Sequence, residues 1–171
     1  FDLTTDGSGN ATVVNATALN FIASGIGGNL SATATTGNIT QSTGALTVGG
    51  TSTLVTTAQE ATIDLSTITT NAFTGAVTIT TNDNAGADAD VIIDGGTTAL
   101  IVAASTIDGD LTLTSGATAG ITDSGTVTVL GDIYLITDAG NGVIDMGTLA
   151  VTGSVDLATH GSGDATVVNA R

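Results

Sequence analysis

The side chains in this sequence that could do chemistry are almost all aspartates. The run Asp83-Asn84-Ala85-Gly86-Ala87-Asp88-Ala89-Asp90 sets several oxygen donors around a glycine. Oxygen-rich loops of this kind suit a hard cation such as calcium. The run lacks the EF-hand spacing and its closing bidentate Glu, and it lacks the GGxGxD repeat of calcium-loaded β-rolls. A solvated acidic loop is the plainer reading. Two further pairs stand 22 residues apart, Asp110 with Asp132 and Asp123 with Asp145. A chain that stacks at that interval would set each carboxylate against its like, which is unfavourable. A bridging calcium, a raised pKa or a shifted corner would relieve the repulsion, as would side chains splayed into water. Calcium is therefore the one cofactor to test for. Its candidate ligands are Asp83, Asp88 and Asp90 in the loop, and Asp110, Asp132, Asp123 and Asp145 as stacked pairs.

Catalysis has little to work with. There is no Cys, no Lys, one Arg (Arg171) and one His (His160). His160 occupies a Gly-rich turn with no partner, so it reads as a surface residue and not as a base. No nucleophile motif occurs. The formal net charge is −15. Nucleic-acid binding needs Lys and Arg to neutralise phosphate, and none is at hand. The same shortage argues against docking on an anionic bilayer. No apolar run approaches the ~20 residues of a membrane span, so this segment is not expected to insert.

The elements that must position the aspartates are strands. Short alternating runs of Val, Ile, Leu and Thr are punctuated by Gly, Asn and Asp, which is the strand signal. No helical stripe appears. Only 10% of residues are charged and 41% are hydrophobic, so the chain is not disordered. Aromatics make up only 2%, which fits a narrow aliphatic core. Pro is absent, as an uninterrupted ladder requires.

Two periods organise these strands. FDLTTDGSGNATVVNA at 1–16 returns as VDLATHGSGDATVVNA at 155–170, an offset of 154. The chain thus reads as one continuous segment, 1–171, of a longer tandem array, with unit 1–154 followed by 155–171 as the start of the next copy. Inside it, a Gly-x-apolar-x-apolar motif recurs at Gly75, Gly109, Gly131 and Gly153, and more weakly at Gly28 and Gly50. Several of these lie 22 residues apart, and 34 residues separate Gly75 from Gly109. That long interval is expected to hide a further coil or a protruding loop. The register extends beyond glycine: Leu111, Ile133 and Val155 correspond, as do Leu113, Leu135 and Leu157, Ile121 and Val143, and Gly125 and Gly147. A 20–30-residue repeat of short strands marks a solenoid, in which each coil buries its apolar face only against its neighbours. The expected fold is all-β, a parallel β-solenoid of six or seven coils of about 22 residues. Leu111 and Leu113 should point inward. Glycines at the corners should supply positive φ. Thr112 and Thr114 become Tyr134 and Ile136 one coil on, which marks those two as an outward lateral contact patch.

The stretches GNLSATATTGNITQSTGALTVGGTSTL (28–54), NAFTGAVTI (71–79) and ALIVAASTIDGDLTLTS (99–115) resemble the repeats of filamentous-haemagglutinin-like exoproteins and large bacterial surface adhesins. The resemblance implies a right-handed parallel β-helix, export to the cell surface, and work as adhesin, stalk or filament. It implies no catalytic residues. The expected function is a structural repeat of a giant extracellular fibre, stalk or sheath. Its partners would be copies of itself, in tandem or head-to-tail, with lateral filament contacts. An adhesin that binds a surface or glycan through the Asp-rich 82–96 loop is the alternative. A calcium-dependent surface-layer protein is a weaker one.

Overall fold

A computed structural model describes residues 1–82 and 88–171. Twenty short strands wind through seven turns of a parallel β-solenoid, each turn adding one strand to each side. The first turn holds β1 (Ala11–Asn15), β2 (Leu19–Phe21) and β3 (Ser24–Ile26), and the second β4 (Leu30–Ala34), β5 (Ile39–Gln41) and β6 (Leu46–Val48). The third holds β7 (Ser52–Thr56), β8 (Ile63–Leu65) and β9 (Ala72–Phe73), and the fourth β10 (Val77–Thr80), β11 (Val91–Asp94) and β12 (Leu100–Val102). The last three turns comprise β13 (Ser105–Ile107), β14 (Leu111–Ser115), β15 (Ile121–Asp123), β16 (Val127–Val129), β17 (Ile133–Thr137), β18 (Ile144–Val151), β19 (Val155–Ala158) and β20 (Ala165–Asn169). No described residue is helical, and no helix is long and apolar enough to cross a membrane.

Every ladder between strands is parallel. The order β2-β5-β8-β11-β14-β17-β19 forms a seven-stranded sheet, one strand per turn. Its register runs Leu111↔Ile133↔Val155. The side that begins with β1, β4, β7 and β10 continues through β13 and β16 into β18. Inward positions along both sheets are buried: Leu111, Leu113, Ile133 and Leu135 are at most 1% exposed. Outward positions carry Thr, Ser and Asp. This alternation follows from the two-residue pleat. One continuous apolar cluster runs from Leu19 to Val151. Phe21 and Phe73 are its largest side chains and are fully buried. A core only two side chains deep needs no more aromatic volume than that.

Three expectations are corrected by the register. First, Gly28, Gly50 and Gly75 do not share a corner with Gly109, Gly131 and Gly153. The first set precedes β4, β7 and β10; the second precedes β14, β17 and β19. The 34-residue interval is therefore a change of corner. The missing member of the second set is Ala89, since Val91 pairs with Leu111. The turn before it is long, with Ile63 pairing to Val91, and holds the residues around 82–90. Second, none of these motif glycines has a positive φ. That conformation falls instead on Gly7, Gly44, Gly96, Gly120, Gly140, Gly161, Glu60 and Asn141. Third, Ile121 pairs with Ile144 and Thr122 with Asp145. The turn at that point is one residue longer than the 22-residue spacing, so Val143 is not the partner of Ile121.

The long repeat closes almost in register. The Phe1 amino group donates to the Asn20 carbonyl and Ile22 N–H donates to the Phe1 carbonyl, which seats Phe1 against Phe21. From there the ladder leads through Gln41, Leu65, Ile93, Leu113 and Leu135 to Leu157. The sequence counterpart of Leu157 is Leu3, two residues along from Phe1. Seven turns thus return the repeat displaced by two residues. An even displacement leaves inward side chains facing inward.

Candidate functional site: the stacked corner ladders

The aspartates are brought together at a corner, where they bond to backbone. Asp110 N–H donates to Asp90 Oδ1 at 2.8 Å, Asp132 N–H to Asp110 Oδ1 at 2.7 Å, and Ser154 N–H to Asp132 Oδ1 at 2.6 Å. Each carboxylate reaches one turn along the solenoid and caps the N–H at the equivalent position. These N–H groups lie just before β14, β17 and β19, where the ladder has not yet begun. A charge-assisted bond of this kind is roughly twice as strong as a neutral one. The cap also gives each carboxylate a donor between itself and the next, which offsets the expected like-charge repulsion.

The glycine before each capped residue now has a different reason. A Cβ on Gly131 would collide with Asp110 Oδ1 and stand 2.7 Å from the Gly109 carbonyl oxygen. A Cβ on Gly153 would collide with Asp132 Oδ1 and stand 2.7 Å from the Gly131 carbonyl carbon. Gly131 N–H also donates to the Gly109 carbonyl, and Gly153 N–H to the Gly131 carbonyl. Glycine is required for close approach of one turn to the next, with the capping oxygen filling the space. The Gly-Asp dipeptide is one device: the glycine receives the cap from the turn before, and the aspartate sends one to the turn after.

The corner before β4 and β7 uses the same device with amides. Asn29 N–H donates to Asn10 Oδ1 at 2.7 Å and Thr51 N–H to Asn29 Oδ1 at 2.9 Å. A Cβ on Gly28 would collide with Asn10 Oδ1, and one on Gly50 with Asn29 Oδ1. Thr62 N–H donates to Asn38 Oδ1 at 3.0 Å, and Ser162 N–H to Asn141 Oδ1 at 3.0 Å.

The other predicted pair is not a pair. Asp123 does not oppose Asp145, because the register sets Asp145 against Thr122. Asp123 instead accepts from Gly147 N–H at 3.0 Å and from Thr148 N–H and its hydroxyl at 2.6 Å each. Asp145 is exposed. Asp83 lies outside the described residues. Asp88 is exposed, and Asp90 is committed to the corner. Among the described residues no group of three acidic or histidine side chains is placed to hold a metal ion.

Electrostatics follow the bonds. Asp132 is held below the ordinary carboxylate range by the Ser154 N–H and hydroxyl, with a smaller contribution from the Tyr134 hydroxyl. At Asp123, burial pushes upward, and the Thr148 hydroxyl with the Gly147 and Thr148 N–H groups outweighs it, leaving the group lowered. Asp94 goes the other way. Burial raises it, Gly96 N–H opposes, and the Asp138 charge adds to the rise. Asp132 in turn pushes the Tyr134 phenol up.

Tyr134 and Ile136 do face outward. They sit half-buried beside Asp156 and Ala158 around a shallow depression of about 140 Å³. Their register partners are Thr112 and Thr114 on one side and Asp156 and Ala158 on the other. The column through Tyr134 reads Asn20, Thr40, Asp64, Ile92, Thr112, Tyr134, Asp156.

Two features had no sequence signal. Asn71, 1% exposed, donates to the Gln41 side chain and to the Leu65, Ile68 and Asp94 carbonyls, and accepts from Gln41 and Leu46 N–H. This buried amide pair satisfies the backbone of an irregular corner. The second is an outward column on the β1 side: Val14, Thr33, Val55, Thr80, Thr106, Thr128, Ala150. It contains no charge over seven turns, in a chain with 16 acidic residues.

With this geometry in view, the sequence matches the family described as "Repeats of unknown function (DUF5649)" over residues 8–80 and 88–146. The chain belongs to the DUF5649 repeat family. The two matched stretches meet at 81–87, within the lengthened fourth turn of this DUF5649 solenoid. No curated protein and no solved structure matches it.

Proposed function

We propose that this DUF5649 chain is a structural repeat of an elongated extracellular protein, a length-giving element of a cell-surface fibre, stalk or sheath. The observation that carries the reading is the near-register return of the repeat. Because seven turns bring the 154-residue unit back displaced by two residues, a following copy can extend the same ladders with its inward and outward faces preserved. The work is mechanical: stacked turns, an aliphatic core and capped corners make a rod. The scarcity of bases and nucleophiles favours this over catalysis. Export to the surface follows the resemblance to filamentous-haemagglutinin-like exoproteins.

Cryo-electron microscopy of the native material tests it. The expected image is a continuous rod with a layer line near ~4.8 Å and an axial repeat of about 34 Å for seven turns. Separate globular particles with no such repeat would sink it. An adhesin is the second reading, favoured by the lengthened turn between β8 and β11 and the break in the family match there. Deleting residues 83–87 would then abolish surface attachment while leaving the rod intact.

A further inference from the structure

We propose that the uncharged outer column from Val14 to Ala150 is a docking face for a second copy of this chain. The proposal rests on the structural-rod reading and adds where and how two rods meet. Three observations support it. The residues of the column are exposed or half-buried, and Val14 is 67% exposed. All are short, and all but Ala150 are β-branched. Over the first four turns the neighbouring outward column is likewise uncharged: Thr12, Ser31, Thr53 and Thr78. Asp123 approaches the strip only at its rim, through Thr148.

Charge decides which partner fits. A second copy arrives with the same net charge of −15, and within a Debye length of about 8 Å at physiological salt its carboxylates repel those of the first. The column through Tyr134 carries Asp64 and Asp156 and meets that repulsion. The Val14–Ala150 strip brings the two chains together with no acid between them. Parallel, in-register strands also present the short β-branched side chains as even rows that can interdigitate, as in dry zipper interfaces.

Area decides how strongly. Seven rungs at ~4.8 Å, about 10 Å wide, give on the order of 300 Å² per chain. A stable complex needs about 800 Å² per partner. One unit therefore pairs weakly, and tandem units add their strips.

The chain has no cysteine, so a single introduced thiol reports the contact cleanly. Thr80 is the middle rung and meets its own copy whichever way a fully overlapping partner runs. Under mild oxidation Thr80→Cys should form disulfide dimers at least fivefold faster than Thr112→Cys on the opposite sheet. Adding Thr33→Asp and Thr128→Asp to Thr80→Cys should reduce its rate to the Thr112→Cys level, with circular dichroism unchanged. Equal rates for the two single thiols would overturn the proposal, as would dimers that survive the added aspartates. Four units in tandem should bundle side by side in electron micrographs. Single rods at the same concentration would overturn the docking face and leave the rod reading standing, whereas a chain of separate globules would overturn the rod itself.

Discussion

The two corners solve one problem with different atoms. At the corner before β4 and β7, Asn10 and Asn29 cap the next turn with neutral amide oxygens; at the corner before β14, β17 and β19, Asp90, Asp110 and Asp132 do so with carboxylates. Both sets require a glycine where the cap lands, because the oxygen sits where a Cβ would be. The difference is charge. The amide corner is indifferent to pH, while the carboxylate corner gains stronger bonds and becomes sensitive to acid. What recurs across turns is thus an acceptor oxygen of fixed reach, and Asn and Asp are alternative ways to supply it.

Removing the space breaks both corners hardest. Gly131→Ala should destabilise by about 2–3 kcal/mol, as overpacking against fixed backbone does, seen as a lowered thermal midpoint. Gly147→Ala is the control. Its Cβ would meet only Asp123 Oδ1, at 3.9 Å, and the change should stay within about 0.5 kcal/mol. If the two variants melt alike, the close-approach account of the motif glycines is wrong.

Removing the cap comes next. Asp110→Ala and Asn29→Ala each leave a backbone N–H without its acceptor, at a cost of about 1–2 kcal/mol, measured by urea unfolding. Asp110→Asn should recover most of the loss by restoring Oδ1. A variant Asp110→Asn as unstable as Asp110→Ala would mean that charge, and not the acceptor, holds the corner.

Acid separates the corners by sign. Asp123 and Asp132 have folded pKa values below the ordinary 3.8, so the stability they contribute is present above 3.8 and is lost as pH falls through those lower values. Asp94 has a folded value above 3.8; its proton binds the folded chain more tightly, so stability rises as pH falls from above that value towards 3.8. The melting midpoint should therefore climb on mild acidification and fall below about 3.8. Asp94→Asn should flatten the climb, and Asp123→Asn should soften the fall. A midpoint that declines monotonically from neutral pH would contradict the Asp94 assignment.

The smallest effect concerns calcium. Because the corner carboxylates are engaged by N–H groups, a chelator should shift the midpoint by less than the cap variants do. A chelator-induced drop as large as that of Asp110→Ala would mean a cation shares the Asp90–Asp132 ladder.

Much of this architecture could be read from residue order alone. The 22-residue interval and the inward Leu111–Ile133–Val155 and Leu113–Leu135–Leu157 rows are direct consequences of stacking identical pleats. The corner identities were not readable, because Gly-x-apolar-x-apolar looks the same at both corners and Ala89 stands in where the second series lacks its glycine. The Asp123–Asp145 pair failed because one extra residue slips the register, and spacing in sequence counts residues without knowing where a turn lengthens. The capping role of Asp110 and Asp132 was hidden for another reason. Stacking predicts that like side chains meet, while the side-chain oxygen in fact reaches the next turn's backbone.

Amide hydrogen exchange by NMR tests the cap ladder most directly. In the unmodified chain the Asp110, Asp132 and Ser154 amides should be protected as strongly as those of Asn29 and Thr51. In Asp110→Ala the Asp132 amide alone among the three should lose most of its protection, with Asp110 and Ser154 unchanged. Exchange of the Asp132 amide at the rate of an exposed loop in the unmodified chain would contradict the account.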